Sequence, residues 1–537
     1  MGDGGSPEDY LWLVVVGAFL SVFTAYGIGA NDVANAFSTS VGSKTISLKQ
    51  AVIFAAFWEF TGAVLLGSHV TKTIRKGIAD GDCFLDDPEL LMYGMMCVIF
   101  CTGVWLILAT KYELPVSTTH STVGGIIGMV IAAKGGECVN WYTPTDKFPF
   151  AKGVVAVVIS WFLSPLLSGA VGGFLFATVR TFCLRHENSF DRSFYVYPLL
   201  LFSTIVVYIF FIIYKGAKGL GLDDTSINFA LAISFGVGGG VTLLFSPIYL
   251  PWLKRTINDA FEERIDENGE RTWVQIKETS FWGTGRVFEN DSKNKVSEER
   301  KQTEIVVDNI QKSNQNKSKS GLLAKSGRAL SKWVDDGVHH ETHASLKTDK
   351  AVSTIHENAE VFDPKSEEVF KWLQVFTACM DSFGHGANDV ANSIGPYAAI
   401  YMIYKQGGIK SKNDLGANAY WILALGGFGI VLGLATYGYK IMEAIGVKIT
   451  TITPTRGFCI EVGATFVIVL GSRLEMPLST THCQVGSTMG VGAVENCGQL
   501  NWMLLLKVFA GWALTLVIAG FTTAIVFAQG AFAPCAL

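Results

Sequence analysis

Charged residues are scarce in this sequence. They account for 16% of its 537 residues, whereas a soluble globular protein carries about 25%. The hydrophobic share is 50%, so the composition disfavours a soluble globular protein. Acidic and basic residues nearly balance at a net charge of −4, and without an excess of basic residues we expect no nucleic-acid partner.

Cysteines are also few. Ten in a chain of this length exclude a fold held together by a framework of disulfides. Several, such as Cys97 and Cys379, lie in apolar stretches, where a buried thiol is the expected form. Cys83 and Cys138 lie in polar loops and can pair if both loops face the same oxidising compartment. No basic segment precedes Leu11, so the first apolar run is predicted to be a retained membrane helix.

Long apolar runs fill most of the chain. A helix that spans a bilayer needs about 20 mostly apolar residues. Segments of this kind lie near residues 11–36, 48–70, 90–110, 116–134, 151–180, 195–214, 226–250, 369–402, 418–440, 453–473, 478–495 and 501–530. The sequence therefore predicts an all-α polytopic membrane protein with about 12 transmembrane helices.

A long polar stretch separates the seventh and eighth predicted spans. Residues 251–367 are rich in Lys, Glu, Asp, Ser and Asn, and they hold too little apolar surface for a large core. We predict a largely disordered linker with short helices near its ends. It would separate an N-terminal transmembrane domain, residues 1–250, from a C-terminal one, residues 368–537. Basic residues beside it, such as Lys254, favour a cytosolic linker and termini on the outside.

Two short strings each occur twice. Gly-Ala-Asn-Asp-Val-Ala-Asn occupies Gly29–Asn35 and Gly386–Asn392, and Ser-Thr-Thr-His occupies Ser117–His120 and Ser479–His482. The offsets of 357 and 362 residues nearly agree, so the chain is a duplicated unit. Equivalent strings fall seven predicted spans apart, an odd number, which predicts repeats of inverted topology. The spans with Ser-Thr-Thr-His are short and rich in glycine, as is typical of discontinuous or re-entrant helices.

Hard oxygen ligands cluster in the first string. Asn31 and Asp32, and equally Asn388 and Asp389, bring amide and carboxylate oxygens into an apolar span. Such oxygens suit a small hard cation, and we predict a sodium site there. The glycines beside both copies would allow local unwinding that exposes backbone carbonyls. These glycines are Gly27, Gly29, Gly384 and Gly386. The alternative is that the Asn and Asp side chains only join helices by hydrogen bonds.

The second string is predicted to bind an anion. Each copy follows a Pro-X pair and begins an apolar segment, as at a helix N-terminus, where free N–H groups and the helix dipole attract anions. Six hydroxyl groups add donors. They belong to Ser117, Thr118, Thr119, Ser479, Thr480 and Thr481. Ordinary N-capping is the alternative, and a hydrolase is disfavoured because no nucleophile-elbow or metal-ligand pattern accompanies the string.

Other polar residues interrupt apolar segments. Glu59 and Glu461 are carboxylates that can neutralise a cation or take up a proton. His385 precedes the second copy of the first string, where the first copy has Ile28, and both pH sensing and simple packing are open. Arg456 is a candidate phosphate ligand, although a side chain near the end of a span is expected to extend to the membrane interface.

Together these residues closely resemble the inorganic phosphate transporter (PiT) family. The resemblance rests on both pairs of strings, on Thr453–Phe458 and on the long central polar loop, and it covers nearly all of the chain outside that loop. It implies an inverted-repeat secondary transporter, not an enzyme, that imports inorganic phosphate with sodium across the plasma membrane. It also implies a homodimer, with no cofactor beyond sodium as the coupling ion.

The resemblance also implies roles for the residues named above. Asp32 and Asp389 would serve cation coupling, while Asn35, Asn392 and the Ser-Thr-Thr groups would surround phosphate. Glu59 and Glu461 match acidic positions that are important for transport in the family, which adds them to the predicted cation site.

Other functions are open. A carrier of the same fold can transport sulfate or use protons in place of sodium. The remaining alternatives are a membrane-embedded enzyme that acts on a phosphorylated substrate, and a phosphate sensor or receptor that signals through residues 251–367.

Overall fold

The computed structural model describes most of the chain outside the linker. The described ranges are residues 7–146, 150–214, 225–265, 271–279, 340–409, 420–473 and 478–532, with a few single positions between them. Residues 280–333, most of the predicted linker, lie outside the described residues, so their predicted disorder stays a prediction.

The described residues form sixteen α-helices and two short β-hairpins. The helices are α1 (Leu11–Asn31), α2 (Ala34–Gly42), α3 (Leu48–Gly77), α4 (Pro88–Lys111), α5 (Thr118–Lys134), α6 (Val154–Val179), α7 (Ser189–Ile213), α8 (Ile227–Ala260), α9 (Ser345–Thr348), α10 (Lys350–Glu357), α11 (Pro364–Gln406), α12 (Tyr420–Tyr437), α13 (Tyr439–Gly446), α14 (Pro454–Arg473), α15 (Thr480–Glu495) and α16 (Trp502–Phe532). The strands are β1 (Thr143–Pro144), β2 (Ala151–Lys152), β3 (Phe261–Ile265) and β4 (Arg271–Gln275).

The predicted all-α polytopic class is confirmed. Within the described residues, nine helical segments are long and apolar enough to cross a membrane. The other three predicted spans correspond to α5 and α15, of 17 and 16 residues, and to α11, which has 43 residues and carries several charged ones. The short helices α5 and α15 are the two that the sequence marked as discontinuous or re-entrant.

Local sequence signals set where several helices begin and end. Ser47 and Gln50 form a capping box at the start of α3. Asp363 caps α11, and Pro364 follows at the first helical position, where its missing N–H costs nothing. Gly407 ends α11 with φ of 65°, a left-handed conformation that glycine adopts without strain. The longest helix of the protein therefore has defined ends.

The two repeats are interlocked. α1 packs on α12, and its equivalent α11 packs on α3, so the first helix of each repeat lies on a helix of the other. Gly29 and Gly386 sit at equivalent contact points. A Cβ atom would come within 1.8 Å of Ile430 O at the first glycine and within 2.2 Å of Glu59 O at the second. The motif glycines therefore serve close packing of helices. Unwinding occurs in the first copy alone: α1 and α11 are helical at all four glycines, but α1 ends at Asn31 and a turn follows at residues 32–33, whereas α11 continues through the second copy.

Two helical hairpins belong to the repeats, α4–α5 to the first and α14–α15 to the second. α16 packs on α5, and α6 packs on α15, so a helix of the opposite repeat holds each hairpin. The first helix of the second repeat runs beside both hairpins, because α11 contacts α4, α5 and α14, while α1 contacts α4 of the first hairpin. This exchange of partners joins the two repeats into one bundle.

The open ends of the two hairpins, away from their tips, lie at opposite ends of the bundle. The disulfide between Cys83 and Cys138 joins the segment before α4 to the segment after α5, which confirms that these two loops pair. α6 starts at this end, where its first N–H donates to Asn140 O over 3.0 Å. At the far end of α6, Arg180 Nη1 donates to Val494 O in the last turn of α15, over 2.9 Å. The repeats therefore have inverted topology, as predicted.

The described ends of the linker are folded. α8 extends to Ala260, and β3 and β4 follow it as an antiparallel hairpin. The side chain of Trp273 in β4 lies against Lys365 near the start of α11, with Lys365 Nζ 3.9 Å from the ring centroid. Short helices were predicted near both ends of the linker. Among the described linker residues, short helices occur near the second end, as α9 and α10, whereas the first end pairs two strands over α11.

The inverted hairpins predict opposite sidedness for two exposed positions. Cys497 follows α15 and is an exposed free thiol, while Tyr142 follows the disulfide end of α5 and is 59% exposed. Two proteins are compared in a Cys535→Ser background: one keeps Cys497, and the other carries Tyr142→Cys and Cys497→Ser. A membrane-impermeant maleimide added to intact, sealed vesicles is expected to label only one of them. The other should react only after permeabilisation. Labelling of both from one side of an intact membrane would contradict the described topology.

Candidate functional site

The two copies of the first string differ in backbone conformation. α1 stops at Asn31, and a turn at residues 32–33 separates it from α2. Within this turn Asn35 N donates to Asp32 O over 2.9 Å. α11, in contrast, is helical through Asp389. Asp32 therefore lies at a break between two helices, whereas its equivalent lies inside one continuous helix.

Two carboxylates and two threonines form the centre of the site. Thr118 Oγ1, at the first residue of α5, lies 2.8 Å from Asp32 Oδ2 and 3.1 Å from Asp389 Oδ1. Thr480 Oγ1, at the first residue of α15, lies 3.2 Å from Asp32 Oδ1 and 3.0 Å from Asp389 Oδ2. All four side chains are buried. Because a hydroxyl carries one hydrogen, these two threonines cannot satisfy all four carboxylate oxygens at once. The capacity of this pair to bind a cation rests on its two negative charges and its hard oxygen ligands.

The asparagines of the first string lie beside these carboxylates. Asn35 Nδ2 donates to Asp32 Oδ1 and Asn392 Nδ2 donates to Asp389 Oδ1, both over 2.7 Å. Asn35 Nδ2 also lies 3.3 Å from Thr481 Oγ1, which donates to Asp32 Oδ1 over 2.6 Å. The amide oxygens of both asparagines are buried and have no hydrogen-bond partner among the residues that the structure describes. They are therefore open to a ligand.

The hairpin helices begin with their own N-caps. Ser117 Oγ accepts a hydrogen bond from His120 N over 3.2 Å, and Ser479 Oγ accepts one from His482 N over 3.3 Å. Thr119 Oγ1 accepts from Asn392 Nδ2 over 3.2 Å. N-capping thus describes both serines in this structure, while the threonines face the carboxylates and amides. A role for the serines as anion donors stays a prediction.

His385 lies among three carboxylates. Its Nδ1 atom is 3.2 Å from Glu59 Oε2, and its Nε2 atom is 2.9 Å from Asp389 Oδ2 and 3.6 Å from Asp32 Oδ1. Asp32, His385 and Asp389 each offer a ligand atom within 4.8 Å of the others, which makes them a group that can hold a metal ion. The first copy of the string has Ile28 at this position. His385 is therefore an ion-pair partner, and packing alone does not describe it.

Asn31 is directed at the first hairpin instead of the carboxylates. Its Nδ2 atom donates to Thr110 Oγ1 over 3.0 Å and to Leu114 O over 2.9 Å. Its Oδ1 atom accepts from Val116 N over 3.0 Å. Both ends of the amide thus fix the hairpin tip, as in the alternative of hydrogen bonds between helices. Asn388, at the equivalent position, is half-buried in α11.

The two predicted acidic residues lie in different places. Glu59 belongs to the central cluster through His385, and its Oε1 atom accepts from Ser382 Oγ over 3.0 Å. Glu461 lies in a second polar pocket between α2, α11 and α14, where it accepts hydrogen bonds from Thr39 and Thr377. Both carboxylates are fully buried. The structure therefore brings Glu59, but not Glu461, into contact with the cluster around Asp32 and Asp389.

Asp381 is a buried carboxylate that was not among the predicted site residues. It is 5% exposed and accepts a hydrogen bond from Thr465. It lies four residues before His385 and eight before Asp389, and therefore shares their face of α11. The available signal was a carboxylate within an apolar span, the same signal that singled out Glu59.

Arg456 is not at an interface, so that expectation is wrong. Its side chain is 2% exposed, and its Nη2 atom lies 2.6 Å from Glu495 Oε2. The guanidinium carbon is 5.8 Å from the ring centroid of Phe176 and 5.3 Å from that of Phe362. An acidic side chain and two aromatic rings thus replace water around the guanidinium group. The acidic partner lies 39 residues away in sequence, which spacing alone could not reveal.

Comparison with known proteins covers the residues of this site. The model of the phosphate transporter family matches residues 28–523, which include both copies of both strings. The phosphate-repressible phosphate permease pho-4 of Neurospora crassa is 31% identical over 96% of this chain and 96% of its own. Sodium-dependent phosphate transporter 2 of Homo sapiens is 29% identical over 97% of this chain and 98% of its own.

A solved structure shares the fold. It is described as the sodium-dependent phosphate transporter, and it superposes with a TM-score of 0.68 at 28% identity over 97% of this chain and 99% of its own. Sequence family, curated relatives and fold thus agree along nearly the whole length of the chain. The protein belongs to the phosphate transporter family.

Proposed function

We propose that this protein imports inorganic phosphate together with sodium ions. The observation that carries the proposal is the shared use of the Thr118 and Thr480 hydroxyls by Asp32 and Asp389, at the tips of two inverted hairpins. Membership of the phosphate transporter family and the names of the relatives support the same substrate and coupling ion. The protein is accordingly a transporter and not an enzyme.

Sodium binding comes first in this mechanism. Asp32 and Asp389 are acidic groups that repel an oxyanion, and they occupy the hydroxyl hydrogens that such an anion needs. Sodium ions bound to these carboxylates offset the repulsion, and they take over the role of the hydroxyls as partners of the carboxylate oxygens. His385 and Glu59 border the same cluster and would help to set its charge, while Asn31, Asn388 and Glu461 belong to the proposal as cation ligands on sequence grounds.

Phosphate then takes the released donors. The threonine hydroxyls of both hairpin tips point at one volume from two helix N-termini, whose free N–H groups and dipoles favour an anion. The proposed phosphate residues are Asn35, Ser117, Thr118, Thr119, Asn392, Ser479, Thr480 and Thr481. Rocking of the helices of the inverted repeats around the central site would switch access from one side to the other. A loaded complex with net positive charge gains about 2.3 kcal/mol per charge from a membrane potential of about 100 mV.

We further propose that the disulfide end of the bundle faces the outside of the plasma membrane. Disulfides persist in oxidising compartments, which supports an outside position for Cys83 and Cys138. The opposite end of α6 and the linker would then be cytosolic, in line with the basic residues beside the linker. The homodimer rests on the resemblance to the family, and native mass spectrometry of the detergent-solubilised protein tests it.

Transport itself is tested by uptake of ³²P-phosphate into proteoliposomes. An inward sodium gradient is expected to drive uptake above an equal choline gradient at fixed pH, and a sodium ionophore should abolish the difference. Equal uptake in both gradients would indicate proton coupling or facilitated diffusion. Uptake of sulfate without uptake of phosphate, in vesicles of verified orientation, would contradict phosphate as the substrate.

Asp32→Asn and Asp389→Asn are each expected to abolish sodium-dependent uptake, because an amide cannot offset the charge of the cation. The matched control is Asp86→Asn, a change at an exposed carboxylate in the loop before α4, which should leave uptake unchanged. Surface expression of all three variants should match the parent protein. Sodium-dependent uptake at parental rates in either core variant would remove the cation assignment.

Thr118→Val and Thr480→Val are expected to raise the KM for phosphate by about 10- to 100-fold, since a hydrogen bond to a charged group contributes about 1.5–3 kcal/mol. Thr178→Val provides the control, because Thr178 is half-buried and its hydroxyl bonds only within α6 among the described contacts. Initial uptake rates over a range of phosphate concentrations give KM for each variant. A KM unchanged in both core variants would show that these hydroxyls do not bind the anion.

A further inference from the structure

Two buried histidines lie directly behind the anion donors and are not used by the proposed chemistry. His120 follows Thr119, and His482 follows Thr481, at equivalent positions of the two repeats. Both side chains are completely buried. Their rings lie against each other, with 4.8 Å between centroids and 46° between planes. The contact therefore joins the tips of the two hairpins to each other.

A tryptophan from each repeat extends this contact. Trp161 in α6 meets the His120 ring edge-on, with 5.8 Å between centroids, and Trp512 in α16 stacks on the His482 ring at 3.8 Å. We name Trp161, His120, His482 and Trp512 the aromatic column. Trp512 also donates from Nε1 to Pro115 O, over 3.0 Å, and so binds the first hairpin while it stacks on the second.

The ring nitrogens of the column make few hydrogen bonds. His120 Nδ1 and both ring nitrogens of His482 lack a hydrogen-bond partner among the described residues. His120 Nε2 has only Ser160 Oγ, at 3.5 Å, among its described contacts. Burial of unpaired polar atoms costs stability, so the hydrogen bonds of these imidazoles do not explain their position. Ring stacking is the interaction that the geometry supports.

The second hairpin also depends on the backbone of the first. Thr481 Oγ1 lies 3.2 Å from Val116 O, in addition to its contact with Asp32. A shift of one tip relative to the other would therefore change the distances between the threonine donors. A fixed spacing of donors is what a rigid tetrahedral anion requires, and misplacement by about 1 Å can cost about 100-fold in activity.

We propose that the aromatic column holds the two hairpin tips together as one rigid body, so that the threonines of both repeats keep a fixed spacing around phosphate while the surrounding helices move. The four column residues are positioning residues for the anion and do not touch it. This inference rests on the proposed transport of phosphate. The inference goes beyond the proposed function because it states which part of the bundle stays rigid during the change of access.

The first test compares alanine and phenylalanine at each histidine. His120→Ala and His482→Ala are expected to raise the KM for phosphate at least about tenfold, with a smaller change in the maximal rate and an unchanged dependence on sodium. His120→Phe and His482→Phe keep a ring and should stay within about threefold of the parent KM. His186→Ala, at an exposed histidine, is the control. Phenylalanine variants as impaired as the alanine variants, or alanine variants with parental KM, would overturn the proposal.

The second test asks whether the two histidines act through one contact. If they do, the double variant His120→Ala/His482→Ala should have the same KM as either single variant, because the contact is already lost. Effects that multiply would show that the residues act independently.

Melting temperatures of the same purified variants measure the coupling without transport, and non-additive shifts are expected there as well. If the parent protein takes up no phosphate, the proposed function fails, and the melting-temperature cycle still decides whether the column couples the hairpins. Additive shifts in melting temperature would by themselves contradict coupling of the hairpins through the aromatic column.

Discussion

Two buried carboxylates that share two hydroxyl groups are the constraint on which the rest of this structure depends. Charge at the depth of Asp32 and Asp389 is costly unless a counter-charge and hydrogen bonds compensate it. Thr118 and Thr480 have one hydrogen each to offer to the two carboxylates, and the amides of Asn35 and Asn392 and the Thr481 hydroxyl donate to the same pair. In the proposed mechanism, a bound cation replaces the hydroxyls of Thr118 and Thr480 as partner of the carboxylates and releases their hydrogens to an anion. Coupling between the two substrates thus follows from competition for shared donors, without a signal over distance.

The repeats are symmetric in the proposed anion donors and asymmetric around the proposed cation site. Equivalent threonines and asparagines come in pairs, one from each repeat. Two ionisable additions belong to the second repeat: His385 stands where the first has Ile28, and Asp381 stands where the first has Thr24. The helix break at Asp32 is likewise confined to one copy. Duplication therefore accounts for the donor set, while later divergence accounts for the charges that surround it.

Much of this arrangement could be predicted from the sequence, because matched polar strings within apolar spans need polar partners and find them mainly in each other. The class of fold, the inverted repeats and the meeting of Asp32 with Asp389 all follow from that argument. What could not be predicted depends on how each helix is rotated about its axis, which packing over hundreds of residues decides. Asn31 faces a hairpin for that reason, and Arg456 finds a buried partner instead of the interface. The strand pairing after α8 depends equally on contacts with a distant helix.

Equilibrium binding of ³²P-phosphate to the purified protein tests the competition for shared donors most directly. The measurement is the dissociation constant in sodium chloride against an equal concentration of choline chloride, with Asp32→Asn/Asp389→Asn measured beside the parent. Competition predicts phosphate binding to the parent only when sodium is present, and binding without a sodium requirement once both carboxylates are amides. Equal affinity of the parent in the two salts would contradict the account, because phosphate would then have its donors without any cation to release them.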